Sequence, residues 1–147
     1  MKFPKLCKAI EHTIDRWGPI EGRTRLLKLV YLADFGWAKN HSGKPYTEAK
    51  YYRWNHGPFS REVFACVECM DGIEIVESSQ TWDGGSTYVY SAGESTRLAE
   101  ENLDPEFLRG LNEVAAEWRT RPLRDLLEHV YAEQEFSKRE FGEAIFG

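Results

Sequence analysis

The stretch from Arg23 to Ser60 reads RTRLLKLVYLADFGWAKNHSGKPYTEAKYYRWNHGPFS, and it decides the fold. Its first part, from about Thr24 to Lys39, is apolar on nearly every side, which is typical of a helix at the centre of its domain. Its end has the pattern Trp-x-x-Gly-Pro, which predicts a turn. The segment from Thr47 to Trp54 is short and aromatic, and it fits either an extended strand or a helical turn.

Two charged residues, Lys28 and Asp34, interrupt the apolar helix, and Tyr31 lies midway between them. Residues three apart are separated by roughly 60° around a helix, so the three side chains form one stripe. The stripe is either a solvent-facing seam or a partly buried polar site. The sequence leaves both interpretations open.

Helical periodicity and turn residues predict the elements on either side of this stretch. The predicted helices are a first one from Pro4 to Trp17, a third from Ser60 to Gly72, a fourth beginning at Asp104-Pro105 and a fifth opened by Pro122. Two β-prone runs, Ile73 to Glu77 and Thr87 to Tyr90, flank Asp83-Gly84-Gly85 and predict a hairpin. We therefore expect a predominantly helical α+β fold, α-α-α-β-hairpin-α-α around a buried central helix. Residues 1–147 form one predicted domain, and residues 135–147 are expected to be a tail that docks on this domain or on a partner.

The composition, with 41% hydrophobic and 29% charged residues, excludes a disordered chain. No apolar run approaches the roughly 18 residues that span a bilayer, and the N-terminus lacks the apolar region of a signal peptide. We expect a cytoplasmic protein with no membrane partner. The three cysteines, an odd number, favour thiols over a disulfide framework.

The net charge of −5 hides an uneven distribution. Residues 1–61 carry twelve Lys or Arg against five Asp or Glu, whereas residues 62–96 carry seven acidic residues and no Lys or Arg. A basic first third could meet an acidic protein or a nucleic acid, or it could form ordinary solvated helix faces.

No residue pattern indicates catalysis. The four histidines lie in neither a Gly-x-Ser-x-Gly nor a His-Glu-x-x-His context, and Asp83-Gly84-Gly85 lacks the lysine and the following helix of a phosphate-binding loop. Cys66 and Cys69 form a lone Cys-x-x-Cys pair, for which zinc would need ligands as distant as His56 and Cys7. The alternative is two ordinary thiols. We predict that the protein is not an enzyme and has no cofactor and no metal site.

Three helices followed by a hairpin are also the plan of a winged helix, whose third helix enters DNA. Here that helix would hold Arg61 against Glu62, Glu68 and Asp71, and the hairpin holds acidic residues only. Since nucleic-acid affinity begins with Lys and Arg on phosphates, these charges argue against nucleic acid as a partner. A DNA-binding transcriptional regulator that uses its basic first two helices is the alternative interpretation.

Three spaced elements resemble the signature of the Panacea domain, the SocA-like antitoxin family of bacterial toxin–antitoxin loci and phage-related regions. They are Arg25-Leu-Leu-Lys28-Leu-Val-Tyr31-Leu-Ala33-Asp34, Gly43-Lys44-Pro45 and Trp54-x-x-Gly57-Pro58. The family usually reads K-L-x-K-L-L-Y-Y-A, then a G-K-P turn and a W-x-Y-G-P-V turn before the next helix. This sequence departs from that pattern at His56, where tyrosine is common, and at Phe59, where a smaller apolar residue is common.

The resemblance implies a binding module that neutralises a cognate toxin by direct binding or by delivering it to a cytoplasmic protease, with a chaperone as another candidate partner. The expected structural motif consists of Lys28, Tyr31, Gly57 and Pro58. The expected partner-binding residues are Tyr52, Arg53, Trp54, His56 and Asp34. Five aromatic residues could either form interface hot spots or complete the core, namely Tyr46, Tyr51, Tyr52, Trp54 and Trp82.

Overall fold

The structure is a computed structural model that describes residues 4–54, 57–69, 73–78, 87–92, 103–132, 140 and 142–146. The helices are α1 (Pro4–Trp17), α2 (Arg23–Ala38), α3 (Arg61–Cys69), α4 (Pro105–Trp118) and α5 (Leu123–Tyr131). The strands are β1 (Ile20–Glu21), β2 (Tyr52–Trp54), β3 (Gly57–Phe59), β4 (Ile73–Ser78) and β5 (Thr87–Ala92). The predicted α+β, predominantly helical class and the order of its helices and hairpin are confirmed, with β1, β2 and β3 as additional short strands.

Helix α2 lies at the centre of the fold. Every residue from Leu26 to Phe35 is buried, and α4 and α5 pack against it. A helix that is apolar nearly all round is most stable when every side is removed from water, which is why this segment becomes the core of the domain.

Strands β4 and β5 form the predicted antiparallel hairpin, and β1 extends it to a sheet with the order β1-β5-β4. Ile20 and Tyr90 lie opposite each other in the β1–β5 ladder, and both are buried. The predicted hairpin loop at Asp83-Gly84-Gly85 and the predicted helix end at Gly72 lie outside the described residues, as does Trp82.

Two helix ends follow directly from their sequences. A Cβ atom at Gly18 would lie 2.3 Å from the carbonyl oxygen of Ile14, so only glycine fits where the chain leaves α1. Asp104 accepts a hydrogen bond from the backbone N–H of Glu106 at 2.8 Å, with Pro105 in the first turn, which confirms the predicted start of α4.

Strands β2 and β3 form a second antiparallel pair in the register Tyr52↔Phe59, Arg53↔Pro58 and Trp54↔Gly57. The other edge of β2 is lined by the tail, because the N–H of Arg53 donates to the oxygen of Glu143 at 3.0 Å and that of Gly142 donates to the oxygen of Arg53 at 2.7 Å. Ile145 donates to the oxygen of Tyr51 at 2.9 Å, and its side chain is fully buried. The described tail residues therefore add a strand-like segment to β2.

None of the helices in the described residues is both long enough and apolar enough to cross a membrane.

Candidate functional site

The charged stripe on α2 lies inside the protein. Lys28 is 3% exposed, and Tyr31 and Asp34 are 0% exposed. Of the two interpretations that the sequence left open, the solvent-facing seam is wrong, and the stripe is a buried polar site. We call Lys28, Tyr31 and Asp34 the α2 stripe.

Asp34 holds the segment that follows the Gly-Lys-Pro turn. Its carboxylate accepts hydrogen bonds from the backbone N–H of Thr47 at 3.0 Å, from the Thr47 hydroxyl at 2.6 Å and from the Tyr51 hydroxyl at 2.7 Å. Burial raises the pKa of Asp34 to about 6, although the hydrogen bonds from Thr47 and Tyr51 favour the ionised form. Burial and the neighbouring Asp34 carboxylate raise the pKa of Tyr51 well above its usual value. The three donors thus tie residues 47–51 to α2.

Lys28 holds the β2–β3 hairpin at the other end of the stripe. Its Nζ donates to the carbonyl oxygen of Pro58 at 2.6 Å in a buried position. Burial lowers the pKa of Lys28 to about 7, because the charged amine is removed from water without an anionic partner among the described residues. The lysine therefore fixes β3 against α2 at the cost of burying a titratable amine.

Tyr31, in the middle of the stripe, packs its ring against residues 47–51 and the tail. The ring lies edge-on to Tyr51, with 5.2 Å between the centroids, and 5.8 Å from the ring of Phe146 in the tail. The α2 stripe thus contacts residues 47–51, the hairpin and the tail together.

Lys28→Met is expected to remove a pH-dependent part of the stability. Because the pKa of Lys28 falls from 10.5 to about 7 on folding, the unfolded chain binds more protons between these values, and the free energy of unfolding rises with pH there. Relative to Lys28→Met, the free energy of unfolding of wild type should rise by about 2 kcal/mol between pH 7 and pH 9. Urea unfolding across this range measures it, with Lys8→Met on α1 as the control. A constant difference would contradict the prediction.

Two of the predicted partner-binding residues, Tyr52 and Arg53, lie next to each other on β2. Tyr52 and Arg53 are both partly exposed, and Tyr52 lines a cleft of about 370 Å³. The other residues that line the cleft are Lys50, Phe59, Arg61, Glu62 and Gly142. Aromatic and charged groups of both signs thus surround a concavity next to β2.

The structure describes the other predicted site residues to different extents. Trp54 ends β2, but its side chain is outside the described part of the chain, as is His56. Asp34 lies on the inner side and does not reach the surface. Gly57 and Pro58 form β3 opposite Trp54 and Arg53. The structure therefore places Trp54, Gly57 and Pro58 on the same hairpin as Tyr52 and Arg53, and the role of the predicted residues in partner binding stays a prediction.

Sequence reasoning missed Thr47 and the tail as parts of this site. Tyr51 is one of the five aromatic residues that fit either a hot spot or the core, and its 1% exposure places it in the core. A Thr and a Tyr spaced by four after a turn give no signal by themselves, because their common partner, Asp34, lies 13 and 17 residues earlier in the chain.

The structure places two of the three cysteines, Cys7 and Cys66, in the core. Among the residues that can be described, no three His, Cys, Asp or Glu side chains are grouped so that they could hold a metal ion. The side chain of Cys69 and all of His56 lie outside that set.

The sequence profile of a family described as antitoxin SocA-like, Panacea domain, matches residues 26–137. The matched region begins in α2, includes the whole α2 stripe and the β2–β3 hairpin, and leaves out α1 and the described tail. Searches of curated proteins and of solved structures gave no significant match. A domain of this kind supports an antitoxin role in general, implies a toxin as a partner and suggests a function other than catalysis. Since the match covers well over half of its length, this chain belongs to the family of SocA-like antitoxins with a Panacea domain.

Proposed function

We propose that this protein neutralises a separately encoded cognate toxin by binding it directly through the partly exposed residues of the β2–β3 hairpin. The observation that carries the proposal is the family match over residues 26–137. We further propose that residues 1–147 act as one domain, with the tail as part of it. The geometry of the hairpin supports the location of the binding surface.

Hydrogen bonds from α2 and from the tail fix the β2–β3 hairpin in place. Lys28 bonds the carbonyl of Pro58, and the tail bonds the edge of β2 through Arg53. A surface that is ordered before its partner arrives loses less conformational entropy on binding. A short strand pair of this length would not be rigid alone, so the buried contacts are what make it suitable as an interface.

The residue types on this surface favour protein binding. Tyrosine and arginine are enriched in interface hot spots, and Tyr52 and Arg53 are adjacent on β2. The cleft beside Tyr52 could receive one side chain of a toxin. Asp34 contributes in this proposal by holding Thr47 and Tyr51 in place beneath the surface. Trp54 and His56, the other residues of this stretch that the sequence predicts for partner binding, are included in the proposal.

Delivery of the toxin to a cytoplasmic protease is a different mechanism with a different consequence. Direct binding leaves the amount of toxin unchanged, whereas delivery shortens its lifetime. The toxin level after induction, followed by immunoblot with and without this protein, separates the two.

Co-expression with the product of the neighbouring gene tests the function. We expect that gene to stop growth when induced alone and this protein to restore growth and to co-purify with the product. Tyr52→Ala combined with Arg53→Glu should abolish both effects. The matched control is Tyr131→Ala combined with Arg124→Glu, since both residues are exposed on α5.

The outcomes separate the function from its location. A neighbouring product that is harmless, or one that this protein does not neutralise, contradicts the antitoxin proposal. Neutralisation that survives the change at Tyr52 and Arg53 contradicts only the placement of the surface. Thermal unfolding of each variant shows whether the hairpin substitutions merely unfold the chain.

A further inference from the structure

We propose that a second surface, built around Trp17 at the end of α1, docks an acidic amphipathic segment of a partner protein. It consists of Arg16, Trp17 and Arg119 together with an adjoining apolar hollow on α4, and we call it the Trp17 surface. Arg16 and Trp17 precede the region that matches the family. The Trp17 surface shares no residue with the toxin-binding surface proposed above, so the inference does not rest on that proposal.

Trp17 is held as a rigid anchor. Its Nε1 donates to Oδ1 of Asn112 at 2.8 Å, and Nε2 of His12 lies 2.7 Å from the same oxygen. Because an indole N–H can only donate, the Asn112 atom must be the oxygen, and Nε2 of His12 must be the second donor. His12 is 1% exposed, so this arrangement is anchored in the interior while the indole stays partly exposed.

Two arginines carry positive charge at the ring. The guanidinium of Arg16 lies 4.6 Å from the ring centroid of Trp17, and that of Arg119 lies 5.2 Å from it. Arg119 also donates to the carbonyl oxygen of Trp17 at 3.2 Å. Among the described residues, neither guanidinium has a carboxylate within ion-pair distance. Two like charges beside one ring repel each other, and an incoming carboxylate would relieve that repulsion.

Further arginines extend the positive charge. Arg25 reaches across from α2 and donates to the carbonyl oxygens of Trp118 at 2.9 Å and Arg121 at 2.6 Å. Glu117 lies 3.6 Å from Arg121 and offsets part of this charge. Arg16 and Arg25 come from the first part of the sequence and Arg119 and Arg121 from a part more than ninety residues later, so only the fold assembles this surface.

The apolar part lies next to the ring. Trp17 lines a shallow hollow of about 450 Å³ along α4. The other residues that line it are Pro105, Leu108, Arg109, Asn112, Glu113 and Ala116. Apolar side chains of a partner fit the hollow and carboxylates fit Arg16 and Arg119. An amphipathic segment with acidic residues beside its apolar face has this combination.

Protein fits this surface better than nucleic acid does. A stacking base would compete with the guanidiniums that already lie at the indole ring. The chain also carries a net charge of −5, which repels a long polyanion, whereas a short acidic segment feels mainly the local arginines.

The probe is a labelled amphipathic peptide of about 18 residues, with leucines at helical spacing and glutamates elsewhere, titrated with the full chain and followed by fluorescence anisotropy. We expect binding that weakens as salt is raised, and a loss of about tenfold or more in affinity for Arg16→Glu combined with Arg119→Glu. The control is Lys39→Glu combined with Lys44→Glu, which changes the net charge equally. Lys39 lies roughly 20 Å along α2 from Arg25.

Three results would overturn the proposal: no binding of the glutamate peptide, equal losses in both charge-reversal variants, or tighter binding of the same peptide with lysine in place of glutamate. Tighter binding of a thymidine oligonucleotide would assign the surface to nucleic acid instead. A dimer in light scattering that Arg16→Glu and Arg119→Glu dissociate would show that a second copy covers the surface. Arg119→Glu alone, with an unchanged unfolding midpoint, replaces the double variant if that variant does not fold.

Discussion

Asp34→Ala is expected to lower the free energy of unfolding by on the order of 4 kcal/mol, a large part of the stability of a domain of this size. The substitution leaves three buried donors without their acceptor, namely the N–H and the hydroxyl of Thr47 and the hydroxyl of Tyr51. Each unsatisfied buried donor costs about 1–3 kcal/mol, and the segment that they hold loses its attachment to α2. Urea unfolding followed by tryptophan fluorescence measures the loss.

Two further variants show how much of this loss in stability belongs to the buried hydrogen bonds. Tyr51→Phe removes one of the three hydrogen bonds and should cost about 2 kcal/mol. Asp15→Ala, on a less buried part of α1, is the control and should change the free energy of unfolding by no more than about 0.5 kcal/mol. If Asp34→Ala lowered the free energy of unfolding by no more than Asp15→Ala does, the Asp34 carboxylate would not organise residues 47–51.

Asp34→Asn isolates the contribution of the charge. The pKa of Asp34 rises from 3.8 to about 6 on folding, so between these values the folded chain binds more protons and the free energy of unfolding falls as pH rises. The whole destabilisation is present above the folded pKa. Relative to Asp34→Asn, wild type should lose about 2 kcal/mol between pH 4 and pH 7. A difference that does not change with pH would contradict the raised pKa.

The helices could be predicted from the sequence because their own residues determine them. The spacing of the apolar residues in α1, α4 and α5 and the all-round apolar character of α2 need no partner to be recognised. Asp104-Pro105 marks a helix start through local hydrogen bonding alone. These elements lie where they were expected.

The additional strands and the buried charges could not be predicted in the same way. Strand β1 has two residues, and it exists because Tyr90 pairs with Ile20 from a distant part of the chain. Helical spacing places Lys28 and Asp34 roughly 120° apart around α2, but what covers each of them comes from Pro58 and from residues 47–51. A charged residue is exposed far more often than buried, so composition favours the wrong interpretation.

In the proposed function, the α2 stripe serves the fold directly and partner binding only indirectly. Its residues are buried, so their effect on a partner must pass through what they hold: Lys28 the hairpin, Asp34 residues 47–51, and Tyr31 the tail. Substitutions there are expected to reduce stability first and binding as a consequence. Substitutions at Tyr52 and Arg53 are expected to weaken binding first and to change stability little. Comparing the two sets of variants therefore distinguishes residues that position the binding surface from residues that contact the toxin.

Removal of residues 140–147 is expected to have the largest effect, a loss on the order of 5 kcal/mol in the free energy of unfolding. Ile145 is fully buried, and truncating such a side chain to alanine alone costs about 2–5 kcal/mol. Phe146 adds ring contacts with Tyr31 and Tyr51, both at 5.8 Å between centroids. Thermal and urea unfolding of the truncated chain and of Ile145→Ala measure the two losses.

The control is Glu140→Ala, because this residue is exposed and its substitution should change the free energy of unfolding by no more than about 0.5 kcal/mol. The tail also covers the edge of β2, where Arg53 exchanges two backbone hydrogen bonds with Gly142 and Glu143. An uncovered strand edge pairs readily with other chains, so any truncated protein that still folds should associate in light scattering where Ile145→Ala stays monomeric. The family match ends at residue 137, before the described tail residues. The prediction would be contradicted if the truncated chain kept the unfolding midpoint of wild type and did not associate, because the core and the β2 edge would then be complete without the tail.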